Sequence, residues 1–333
     1  MRTWSRAAFT LLELLVAVVI TLILAGLMLT VVTNTLNLWQ RTQNSFTMSS
    51  QATLALDLIE RDLHAAVFRP DGGTWLAVDV INAPVSLVPH GWLTLTTMKP
   101  STSVSQRLLP DWGDGSTPRI ADARFGLSGT WLRFVTTNVE SDGSLPVAVS
   151  YQIARRPVSG SIGASNPAEV RYSLFRSAVS TAATFTVGND LTVSGYGSAS
   201  VTPSSSRNPK TLTNPNSTDV LATNVVDFGV WFYVRDAATG ALRRIFPADN
   251  ADLTHAAHAV GVVPDANRFP EVADVLVRIL SERGALLLSE LESGSGHLTR
   301  PSTVATDAEW WWVIAETYSR VYVRRVEIKG SAL

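Results

Sequence analysis

The sequence predicts an α+β protein, in which one long N-terminal helix is followed by an antiparallel β-rich head. Three observations carry this. The run Leu14 to Val32 is apolar, long enough for a helix and free of proline. From Phe46 to Ala66, apolar residues recur at spacings near three, four and seven, the period of one helix face. Beyond residue 70 the period falls to two, with Gly, Pro, Asn and Asp between the runs, the pattern of strands joined by turns.

Composition narrows the function classes. The chain has 333 residues, 27 Lys+Arg against 28 Asp+Glu, and a net charge of −1. That balance gives no bulk field to draw in nucleic acid or anionic lipid, so no nucleic-acid partner is expected. With 46% hydrophobic and 17% charged residues, the chain can bury a core. Cysteine is absent, which removes disulfides, thiolate metal sites, iron–sulfur clusters and thiol catalysis.

The first element is the N-terminal helix. The leader MRTWSRAA carries Arg2 and Arg6, and between Arg6 and Arg41 the only charged side chain is Glu13. The apolar run after Glu13 makes a helix of about 30 Å, enough to cross a bilayer core. Cations on its N-terminal side place that end in the cytoplasm and the rest of the chain outside. A secretory signal is one reading, but the run exceeds the usual apolar region, and Val31-Val32-Thr33-Asn34 is a poor cleavage site. A plain single-pass anchor is another, but it leaves Glu13 unexplained, because a carboxylate at the edge of a span is costly without a partner.

The third reading accounts for each of these residues. Ala8-Phe9-Thr10-Leu11-Leu12-Glu13 resembles the processing signal of type IV prepilins and type II secretion pseudopilins. In that family a membrane peptidase cuts a short basic leader before a hydrophobic residue and N-methylates the new terminus. The resemblance implies cleavage between Ala8 and Phe9, N-methylation of Phe9, and an assembly role for Glu13 as the fifth mature residue. It departs from the family at Ala8, where most members have Gly. Glu13 is then expected to pair with the Phe9 amine of a neighbouring subunit, which sets axial register more than it adds stability. The plainer alternative leaves Glu13 as an idle interfacial carboxylate.

The second half of the helix carries Phe46, Thr53, Leu56, Ile59, Leu63 and Ala66 on one face. Asp57 with Arg61 and Glu60 with His64 stand at i,i+4 spacing. Arg69-Pro70-Asp71-Gly72-Gly73 is the expected stop, so the helix is predicted from about Phe9 to Val67. A long helix, half in a membrane and half on a head, is the pilin architecture. The segment from Leu56 to Leu63 resembles the helix end of J-type minor pseudopilins. The expected organisation is a leader at 1–8, a transmembrane half at 9–32, an amphipathic half at 33–67 and a periplasmic head at 70–333.

Strands are predicted at Gly91 to Thr96, Thr130 to Val135, Val147 to Ile153, Glu169 to Phe175, Val225 to Val234, Val272 to Leu280 and Arg320 to Ile328. Their order again resembles J-type heads. The whole-chain pattern, with Trp39 after the span, resembles the prepilin-type C proteins of Verru_Chthon cassettes. Residues 177–218 are rich in Ser, Thr, Gly and Asn and read as a mobile insertion or extended hairpin outside the core.

Three further groups bear on chemistry. His255 and His258 have an i,i+3 spacing that suits a metal on a helix, but the segment is loop-like and lacks a carboxylate at a useful offset, so no metal or other cofactor is expected. Asp111 and Asp114, in Asp111-Trp112-Gly113-Asp114-Gly115, offer oxygen ligands for calcium, or a plain turn. Trp310, Trp311 and Trp312 cannot all face one core, so they form either a contact surface or local packing. No nucleophile–base constellation is visible, so the chain is expected not to be an enzyme. The resemblance implies a filament subunit as a minor or tip component. Its partners would be a prepilin peptidase/N-methyltransferase, other pilins through the N-terminal helix, and an inner-membrane assembly platform. An adhesive or cargo-binding head is the alternative function, and a membrane-tethered hydrolase a remote one.

Overall fold

The computed structural model describes residues 11–69, 73–80, 111–112, 118–119, 130–138, 145–157, 170–188, 190–191, 196, 212, 219–247, 254–258, 264–293, 298–304, 307–329 and 331–332. It comprises two compact units, Met1–Thr47 and Met48–Leu333. A single helix, α1 (Leu11–His64), contributes to both.

In the first unit α1 is apolar on every side. Each side chain from Leu11 to Gln40 is exposed, including Leu11, Leu15, Leu22, Ile23 and Leu24. The helix is long and apolar enough to cross a membrane, and its most apolar window buries nothing within the protein.

The second unit holds the core. The last turns of α1 bury Met48, Ala52, Ala55, Leu56, Ile59 and Leu63. Phe46 and Thr53, which the period placed on this face, are exposed. The small side chains Ala52 and Ala55 reset the buried stripe by letting the helix approach its neighbours closely. The helix ends at His64, three residues before the expected Val67. Tertiary pairing stops it rather than Pro70, because Ala66 bridges Thr136 and the Thr137 amide donates to the Ala65 carbonyl. Strand β1 (Val67–Phe68) follows at once.

Two antiparallel sheets make the rest of the core. The larger contains β2 (Leu76–Val80), β5 (Thr130–Asn138), β6 (Leu145–Pro157), β7 (Val170–Ala178), β8 (Val220–Thr223) and β11 (Thr254–Ala257). Its order is β11-β2-β5-β6-β7-β8. The smaller contains β9 (Val225–Arg235), β10 (Leu242–Phe246), β12 (Val272–Leu280) and β13 (Ser319–Glu327) in the order β10-β9-β12-β13. The strands predicted near 130, 147, 169, 225, 272 and 320 are all present, while that at Gly91 to Thr96 lies outside the described residues. Asn224, with φ of 59°, lets the chain leave β8 and enter β9 of the other sheet. Val226, Phe228, Val230 and Phe232 are fully buried on one face of β9. A two-residue ladder, β3 (Asp111–Trp112) with β4 (Pro118–Arg119), stands apart, and β14 (Ser331–Ala332) pairs in parallel with β1.

Of the expected insertion at 177–218, the structure describes residues 177–188, 190–191, 196 and 212. Among the described residues there, Val179, Leu191, Tyr196 and Leu212 are buried in the core cluster. Helix α2 (Thr181–Val187) is capped by the Ser180 hydroxyl. The Leu212 carbonyl accepts from Trp131 Nε1, Ser150 Oγ and Gln152 Nε2, which pins it to β5 and β6. Composition alone reads as loop, but the described residues Leu191, Tyr196 and Leu212 are core. Helices α3 (Glu282–Ser293) and α4 (Asp307–Thr317) pack on each other. Gly284 is needed there, because a Cβ would meet the Tyr318 Cβ at 2.5 Å.

Candidate functional site

Glu13 lies in the first turn of α1 and is exposed. It is followed by uncharged helix as far as Gln40. Ala8 and Phe9, the expected cleavage residues, lie outside the described residues. The N-terminal region thus joins one carboxylate to an exposed, largely apolar helix.

The other predicted positions do not gather into a site. Asp111 falls on β3, and Asp114 lies outside the described residues. Among the described residues no three His, Asp or Glu side chains cluster as a metal would require. His255 is buried on β11, not on a helix, and its Nε2 lies 2.9 Å from the Arg268 carbonyl oxygen. Trp310 and Trp311 are buried on α4, at 8% and 2% exposure, so neither offers an exposed contact surface. Trp311 meets the Tyr172 ring edge-on, with centroids 5.7 Å apart. Neighbouring helical positions are about 100° apart, so one broad apolar stripe can hold both Trp310 and Trp311, while the side chain of Trp312 lies outside the described residues.

One polar constellation escaped the sequence reading. Asp62, on the buried side of α1, accepts from the Tyr151 hydroxyl at 2.6 Å and from Arg176 Nε at 2.7 Å. The Thr136 hydroxyl donates to the Asp62 backbone carbonyl at 2.8 Å. Burial and the neighbouring Asp62 charge push the Tyr151 phenol well above its ordinary pKa. Burial works against the Arg176 charge, but Tyr151 and Asp62 outweigh it and hold the guanidinium above its usual range. Nearby, Arg324 of β13 pairs with Asp57 and, at 2.8 Å, with Glu60. These carboxylates of the helix therefore reach across to a strand of the head. Arg176 comes from the six-stranded sheet and Arg324 from the four-stranded one, so both sheets grip the end of α1. The available signal was Asp62 itself, a charge set between Ile59 and Leu63 on the apolar stripe. Its partners come from three strands of the head, β5, β6 and β7, so the cluster fixes where the end of the helix docks.

Residues 5–29 match the prokaryotic N-terminal methylation motif. This prepilin-type signal indicates a prepilin-like substrate of a prepilin peptidase. The matched segment covers the leader end, Glu13 and most of the exposed apolar helix. No curated protein and no solved structure matches the chain.

Proposed function

We propose that the chain is a non-enzymatic, prepilin-like subunit of a type II secretion pseudopilus or type IV pilus-like filament, J-like and used as a minor or tip component. In this reading the peptidase cuts between Ala8 and Phe9 and methylates Phe9. The first half of α1 anchors the protein in the inner membrane with its N-terminus cytoplasmic and its head periplasmic. The observation that carries the reading is the coincidence of the methylation motif at residues 5–29 with a helix exposed on every side from Leu11 to Gln40. Such a helix needs lipid before assembly and other helices after it, because contiguous apolar surface of that extent is not stable in water. A head built from two sheets suits a specialised low-copy subunit more than a bare structural pilin. The adhesive or cargo-binding alternative gains no contact surface from Trp310 and Trp311, which are core residues.

Glu13 supplies the test. Paired with the Phe9 amine of another subunit, it neutralises a charge that would otherwise enter the apolar bundle alone. Glu13→Ala should leave membrane insertion, cleavage and head folding intact and abolish co-purification of partner prepilins from membranes. Glu13→Gln should rescue little, because it keeps hydrogen bonding but loses the charge. Undiminished co-purification by the Ala variant would remove Glu13 from assembly.

A further inference from the structure

By composition the apolar run ends at Val32, where Thr33, Asn34 and Thr35 begin a more polar stretch. The structure changes the weight of those residues. The Thr33 hydroxyl donates to the Thr30 carbonyl at 3.0 Å and the Thr35 hydroxyl to the Val31 carbonyl at 2.8 Å. Deeper in the run, Thr21 and Thr30 do the same to Ala17 and Gly26. A hydroxyl satisfied by its own helix needs no water, so these threonines do not require the chain to leave the membrane. Beyond them Leu36, Leu38 and Trp39 are again large, apolar and more than half exposed. The next charged residue after Glu13 is Arg41.

Length fits the same boundary. At about 1.5 Å per residue, the uncharged helix from Leu14 to Gln40 is about 40 Å long. A bilayer core takes about 30 Å, and core plus headgroup layers about 40–45 Å. The core therefore accommodates Leu14 to Val32, and the outer headgroup layer, about 5–7 Å deep, takes the next turn from Thr33, with the Trp39 side chain leaning back along the helix to reach its outer edge. Tryptophan favours that layer because its body is apolar and its N–H is polar, and an arginine beside it can extend its charge into water.

We propose that the partner of the exposed Thr33–Trp39 face is the lipid headgroup layer, with Trp39 as the interfacial anchor and Arg41 the first residue outside. This rests on the membrane reading above, and the test separates the two. Because the chain has no cysteine, single cysteines report cleanly. The full-length protein is placed in phosphatidylcholine vesicles with the head outward and treated with a charged, membrane-impermeant maleimide. Ser45→Cys and Thr42→Cys should label at the rate of an exposed thiol, Asn34→Cys at least about tenfold more slowly, and Asn37→Cys at an intermediate rate. Adding Trp39→Ala should raise labelling of Asn37→Cys to that of Thr42→Cys. Labelling of Asn34→Cys as fast as Ser45→Cys would put the boundary at Val32 and overturn the proposal. So would slow labelling of Thr42→Cys, or no response to Trp39→Ala. Fast labelling of Val19→Cys would instead remove the membrane reading itself.

Discussion

The two units of this protein use apolar side chains in opposite ways. In the first, Leu22, Leu24 and Leu29 are each at least 60% exposed and touch no core. In the second, Ile59 and Leu63, on the same helix, are fully buried. A helix is thus not core or surface by composition. The first part of α1 is exposed all round and is long and apolar enough to cross a membrane. The last part is apolar on one stripe because one stripe meets the sheets and the rest meets water.

The largest expected contrast is at the buried charge. Asp62→Ala should cost the head about 3 kcal/mol, because the buried Tyr151 hydroxyl loses its acceptor and the half-buried Arg176 its carboxylate. Asp62→Asn should cost less, since an amide oxygen still accepts from Tyr151. Denaturant unfolding of the full chain, followed by tryptophan emission, reads both. A loss below about 1 kcal/mol for Asp62→Ala, the range of an exposed pair, would show that this pair is not what holds the helix end.

The next contrast compares leucines. Leu63→Ala should cost about 2–5 kcal/mol through lost burial and a cavity. Leu24→Ala should leave head unfolding unchanged, because Leu24 is 60% exposed and lies in the other unit. Equal effects would mean that the two units do not behave separately.

Glycine sharpens the comparison further. Gly284→Ala should cost about 1–3 kcal/mol by overpacking against Tyr318. Gly26→Ala meets nothing within 4 Å and should leave the head untouched. The smallest effect is expected at Arg243, which pairs with Asp265 on an exposed edge and holds that carboxylate below its usual pKa range. Arg243→Ala should change stability by about 0–1 kcal/mol. A larger loss would mean that the 3-10 turn Asp265–Asn267 depends on this pair.

What was legible in the sequence was whatever repeats locally. The span, Glu13 and the strands near 130, 147, 169, 225, 272 and 320 all follow from period and turn residues. What was not legible depended on distant partners. The helix stops at His64 because β5 takes its backbone, and Asp57 and Glu60 turn to Arg324, far along the chain. Leu212 is buried in a segment whose composition reads as loop, because three side chains from β5 and β6 bind its carbonyl. The tryptophan run could have been strand or helix, and only packing on Tyr172 and α3 decides it. For the functional end, the motif was readable because its residues are adjacent and need no fold to bring them together.

The central claim is that the N-terminus is a prepilin signal, and intact-mass and peptide analysis of the membrane-extracted protein tests it most directly. From cells with an active prepilin peptidase, the chain should begin at N-methylated Phe9, and a bulky charged residue in place of Ala8 should block that cut. A chain that keeps Met1 in those cells, or one cut after Val32, would contradict the account.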